Sequence, residues 1–70
     1  MNKRNLDPKF IARLDVMDAV EAAIYLRTST STLAKYRMYG DGPTFIRQSS
    51  RKTLYRKTDL DAWLASNVAA

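Results

Sequence analysis

Two capped helical patterns separated by only three residues, Arg27, Thr28 and Ser29, constrain this chain more than any other feature. In the first, Asp18 followed by Glu21 has the spacing of a capping box, and a helix runs from there to about Leu26. Its face at Ala19, Ala22, Ala23 and Leu26 is small, which lets another helix approach closely. The second begins at Ser29, whose hydroxyl is placed to accept from the free N–H groups of the first turn, and runs through STLAKYRM. Leu33, Tyr36 and Arg37 share one face of it, while Thr30, Ser31, Ala34 and Lys35 fall elsewhere. A connection this short holds two helices at a steep angle.

The second helix must stop at Gly40-Asp41-Gly42-Pro43, because Gly40 suits the left-handed conformation of a helix end and Pro43 cannot continue a helix. Beyond this corner, residues 44–48 and 53–56 are short runs rich in β-branched and aromatic residues, joined by the polar tip Ser49, Ser50, Arg51 and Lys52. That pattern predicts a hairpin. Periodicity leaves open which member of Phe45/Ile46 and of Leu54/Tyr55 faces inward, since both members of each pair are apolar. Thr58 stands where a cap is expected, with Asp59 and Asp61 in the first turn and Leu60, Trp63 and Leu64 as an apolar stripe, so a last helix closes the domain. At the start, Asp7-Pro8 is a cap and first-turn pair; residues 1–14 form either a short helix using Phe10, Ile11 and Leu14 or a basic arm with Lys3 and Arg4 on phosphates.

The expected fold is mainly α with a small hairpin: residues 15–66 as a winged helix-turn-helix with a two-stranded wing and a C-terminal helix, and residues 67–70 as a tail. Seventy residues bury too little surface for a deep enclosed pocket, so binding on an outer face is favoured over catalysis. The lack of cysteine and histidine removes disulfides, thiolate chemistry, the usual zinc ligands and the commonest general base. No metal or cofactor is expected. Asp59 and Asp61, two apart on a helix, point in different directions and are explained as first-turn acids.

Charge then selects the partner. The net charge is +5, and residues 27–57 hold eight basic residues against one acid, Asp41, so the positive charge is concentrated on the second helix and the hairpin. An α-helix fits the major groove of B-DNA, which makes Thr30, Ser31, Ala34 and Lys35 candidates for facing bases, with Thr32 as a cap or phosphate contact. Arg37 can reach a phosphate or pair with an acid of the first helix. On the hairpin, Arg47, Ser50, Arg51, Lys52 and Arg56 suit a minor groove or the flanking phosphates. Tyr36, Tyr55 and Trp63 read as packing residues. No apolar run approaches the length that spans a bilayer, and the first residues carry no apolar signal region, so a cytoplasmic, DNA-associated protein without a membrane partner is expected.

From about Val16 to Ala65 the sequence resembles the MerR-like winged helix-turn-helix domains of phage and integrative-element excisionases, or recombination directionality factors, and the related AlpA-like prophage regulators. The carriers are EAAIYL at Glu21–Leu26, STLAKYR at Ser31–Arg37, GDGPTFIR at Gly40–Arg47 and LYRKTDLDAWL at Leu54–Leu64. The resemblance implies a helix at Thr30–Met38 in the major groove and a hairpin on the adjacent minor groove. It also implies cooperative binding of several protomers to repeats in attachment-site DNA, with bending, and the steering of a tyrosine-family integrase toward excision. Promoter regulation in a phage or integrative element is the alternative. The family usually has glycine in the turn after the first helix, where this chain has Arg27 and Thr28, and often at the start of the wing, where it has Ser49 and Ser50. Strain at the turn and a phosphate contact from Arg27 are the expected consequences.

Overall fold

Residues 4–68 are described in the computed structural model; Lys3 of the proposed basic arm lies outside them. The elements are α1 (Pro8–Ile11), β1 (Val16–Asp18), α2 (Ala19–Leu26), α3 (Thr30–Tyr39), β2 (Ile46–Ser49), β3 (Lys52–Arg56) and α4 (Lys57–Ser66). Four helices and a three-stranded antiparallel sheet make this a mixed α/β fold, about half of it helical.

The caps of α2 and α3 form as their sequences dictate. The Asp18 carboxylate accepts from the Glu21 N–H and the Glu21 carboxylate accepts from the Asp18 N–H, both at 2.9 Å, so two free donors of the first turn are satisfied reciprocally. At the other end of α2, Arg27 takes a left-handed conformation (φ 59°), while Thr28 N–H donates to the Ala23 carbonyl at 2.8 Å and Arg27 N–H to that of Ile24 at 3.1 Å. This is a Schellman closure with arginine where glycine is the unstrained residue. Ser29 Oγ then accepts from Thr32 N–H at 3.1 Å and starts α3.

Arg27→Gly is therefore expected to raise stability by about 0.5–1 kcal/mol, because the left-handed conformation costs a residue with a Cβ about 1–2 kcal/mol and glycine's greater chain entropy offsets part of the gain. Thermal melting measures the gain. A parallel DNA titration, expected to show weaker binding, separates relief of strain from loss of a cation.

Gly40 (φ 74°) ends α3, its N–H and that of Asp41 both donating to the Tyr36 carbonyl. Gly42 is needed for a different reason: a Cβ there would lie 2.5 Å from Cβ of Tyr36, so only glycine lets the corner press against α3.

The sheet order is β1-β3-β2, with Met17 opposite Tyr55 and Ile46 opposite Leu54. The expected two-stranded wing thus gains a third strand, because Val16–Asp18 pairs along the free edge of β3; Lys57 N–H extends that ladder to the Asp15 carbonyl at 2.9 Å. Between β2 and β3 the register slips, Arg47 facing Thr53 but Ser49 facing Lys52, so Gln48 is an extra residue and the turn itself is Ser50-Arg51. The first strand of the hairpin starts at Ile46 rather than Thr44.

Thr53 and Tyr55 point into the core. They join Ile11, Met17, Ala22, Ala23, Leu33 and Leu60 there, and the two alanines let α3 and the sheet close on α2.

Three expectations about packing are corrected. Of Phe10 and Leu14, expected to cover the open side of the core, Leu14 packs there beside the fully buried Ile11, whereas α1 is a single turn capped by Asp7 that leaves Phe10 42% exposed. The last helix begins at Lys57 directly from the end of β3, with Arg56 at its cap position and no side-chain cap, so Thr58 is inside the helix and only Asp59 lies in the first turn. Asp61 instead accepts a hydrogen bond from the Tyr25 hydroxyl, tying α4 to α2. That bond, with some burial and the Asp61 charge, holds the phenol above its ordinary pKa of 10.0. Its contribution is present below pH 10 and is lost as pH rises through the raised value.

The stripe of Leu60, Trp63 and Leu64 is only partly buried, Leu64 being 41% exposed. Trp63 packs its ring against Tyr36 with centroids 5.5 Å apart and donates its N–H to the Asp41 carbonyl at 3.2 Å, which pins α4 to the glycine corner.

Candidate nucleic-acid interface

Leu33 anchors α3 in the core, and this sets what the rest of the helix displays. With 100° between successive residues, Tyr36 and Arg37 flank Leu33 and are half-buried, while Ser31, Ala34, Lys35, Met38 and Tyr39 face outward and are exposed. Thr30 is exposed at the first position. Thr32 is half-buried, its Oγ1 accepting from the Ser29 hydroxyl at 2.9 Å, so its side chain is engaged in the cap. The start of α3 therefore presents free backbone N–H groups and the hydroxyls of Thr30 and Ser31, with the Lys35 ammonium one turn on. An N-terminus of this kind carries partial positive charge and attracts anions.

Of the two roles expected of Arg37, pairing with an acid of α2 is not taken up. Nη1 donates instead to the hydroxyl of Tyr55 at 2.6 Å, and the guanidinium lies 6.0 Å from the centroid of Phe45. Tyr55 is fully buried, so Arg37 supplies the acceptor's missing donor and couples α3 to β3. Arg47 approaches the same Phe45 ring at 5.6 Å, which brings Arg37 and Arg47 to one aromatic side chain. Arg47 itself is exposed.

At the tip, Ser50 and Arg51 form the exposed turn, and Ser49 Oγ accepts from Arg51 N–H at 3.4 Å. Arg51 and Lys52 line a shallow groove with Asp18, Ala19 and Val20, so the tip lies beside the start of α2. Arg56 is exposed on the outer face of β3, opposite Val16, and Arg27 is exposed in the turn between α2 and α3.

Among the described residues the ion pairs are those of Arg4, with Asp18 at 2.7 Å and Glu21 at 3.3 Å. The basic residues from Arg27 to Lys57 have no carboxylate partner there, and their charge is available to a polyanion. Arg4, a phosphate contact in the basic-arm alternative, pairs with two acids and folds back onto the cap of α2.

Met38 and Tyr39, which are 75% and 69% exposed, were not among the residues the sequence singled out. Their angular position relative to Ser31 and Lys35 is the signal that identifies them, since all four lie within about a third of the helix circumference.

Among the described residues no three His, Cys, Asp or Glu side chains gather to hold a metal ion, and no helix is long and apolar enough to cross a membrane. Compared with protein-family models and with curated proteins, the sequence matches none.

Proposed function

We propose that the protein is a sequence-specific DNA-binding factor of winged helix-turn-helix type, in which α3 enters the major groove and the β2–β3 hairpin grips the flanking backbone. The observation that carries this reading is the exposed outward face of α3, hydroxyls at its start and Lys35 one turn on, in a region whose cations have no carboxylate partners among the described residues. A helix N-terminus positions on phosphate, side chains along the face of a helix seated in the major groove reach base edges, and a thin basic hairpin follows the backbone.

The roles separate experimentally. Lys35→Ala is expected to change which bases are preferred, while Arg51→Ala lowers affinity for all sequences alike and reduces the salt slope by about one. Binding titrations on a preferred and a scrambled duplex measure both, and the opposite pattern would exchange the roles of helix and hairpin.

The resemblance to excisionases extends the proposal to biology. The protein binds repeated sites in attachment DNA as several cooperating protomers, bends it, and directs a tyrosine-family integrase toward excision, with no chemistry of its own. The test is a footprint on attachment-region DNA followed by an excision assay with the integrase of the same element. Protection of repeats together with stimulated excision is the expected result. Repression of a promoter with no effect on excision would assign the protein to transcriptional regulation instead.

A further inference from the structure

Met38 is a large apolar side chain on the outward face of α3, which it shares with Ser31, Ala34, Lys35 and Tyr39. It is 75% exposed, on the side of the helix turned away from the buried Leu33. Ser31, Lys35 and Met38 stand at i, i+4 and i+7, which on an α-helix is one row: Met38 lies only about 20° around the axis from Ser31. At a rise of about 1.5 Å per residue the row is about 10.5 Å long, close to three base-pair steps of about 3.4 Å.

Such a row has a chemical order. Ser31 offers a hydroxyl that donates and accepts, Lys35 offers three donors, and Met38 offers a flexible thioether with almost no hydrogen-bonding capacity. The major-groove edge of a base pair presents donors, acceptors and one apolar group, the C5-methyl of thymine. Resting on the DNA-binding proposal above, we infer that Met38 is a specificity-determining residue that packs on a thymine methyl. That thymine lies at one end of a segment about three base pairs long, whose middle faces Lys35 and whose other end faces Ser31. A second copy of the chain is a poorer occupant for this face, because joining two such faces brings like-charged Lys35 ammoniums together, whereas a duplex supplies the opposite charge.

The experiment starts from a pool of randomised duplexes. The sequence most enriched by the wild-type protein is synthesised, and each of its thymines in turn is replaced by deoxyuridine, which removes the methyl and leaves every hydrogen-bonding group of the base in place. Wild-type affinity is expected to fall about threefold to tenfold at one or two adjacent positions and to be unchanged at the rest. Met38→Ala, whose exposed position leaves thermal melting unchanged, is expected to bind the thymine duplex about as weakly as the wild type binds the deoxyuridine one. It should show no further loss on deoxyuridine.

Wild-type indifference to deoxyuridine at every position would overturn the inference, as would a Met38→Ala protein that keeps the same sensitivity. In both of those cases the DNA-binding proposal stands. A pool from which no sequence is enriched would remove that proposal, and this inference with it.

Discussion

Tyr55→Ala is expected to leave the chain unfolded at 25 °C. Tyr55 is fully buried on the middle strand, opposite Met17 on β1, with the Phe45 ring centroid 6.4 Å from its own and its hydroxyl accepting from Arg37. Truncating a buried aromatic to alanine costs about 3–5 kcal/mol, and a core this small supplies about that much net stability in total. Far-ultraviolet circular dichroism and thermal melting measure the outcome.

Tyr55→Phe is the informative companion. It keeps the ring and removes only the acceptor for Arg37, so a loss of about 1–2 kcal/mol with a cooperative transition is expected. A Tyr55→Ala protein that melts like the wild type would mean that the sheet does not carry the core.

The double reversal Arg51→Glu, Lys52→Glu has the largest expected effect on function. Both residues are exposed at the tip and neither pairs with an acid among the described residues, so the fold should be unaffected. Each phosphate contact contributes nearly one power of salt concentration to affinity, and replacing two cations by anions adds repulsion. Affinity for any duplex should drop about a hundredfold or more at low salt, and the salt slope should fall by about two. Equal binding by the wild type and the reversed protein would remove the hairpin from the DNA interface and favour an acidic protein as the partner of the basic face.

The helix boundaries near residue 30 were legible in the sequence because their signals are local. A carboxylate three residues before a glutamate, a serine before a hydroxyl-rich turn, and a glycine placed to turn left-handed each act within one helical turn, and each forms as read. What was not legible depends on residues far apart in the chain. Val16, Met17 and Asp18 are too few to show a period, and they become a strand only because the edge of β3, nearly forty residues on, is free to pair.

β3 runs straight into α4, which moves the cap position of that helix from Thr58 to Arg56 and leaves Asp61 facing Tyr25. On a helix wheel Arg37 reads as a cation that reaches a phosphate or an acid of the first helix. Its engagement with a buried phenol eighteen residues away follows only once Leu33 fixes the rotation of α3 and the sheet brings Tyr55 beneath it. Met38 and Tyr39 sit where apolar residues at a helix end are ordinarily assigned to packing, and their exposure is a consequence of the same rotation.

The direct test of the central proposal is the affinity of the purified wild-type protein for its most enriched duplex and for a scrambled duplex of equal length, each at about 50 mM and about 200 mM salt. The account predicts a preference of about a hundredfold or more for the enriched sequence at both concentrations. It also predicts a loss of about 150-fold to 1,800-fold in affinity between them, the consequence of roughly four to six phosphate contacts from α3 and the hairpin. Equal affinity for the two duplexes, or no binding to either, would contradict it.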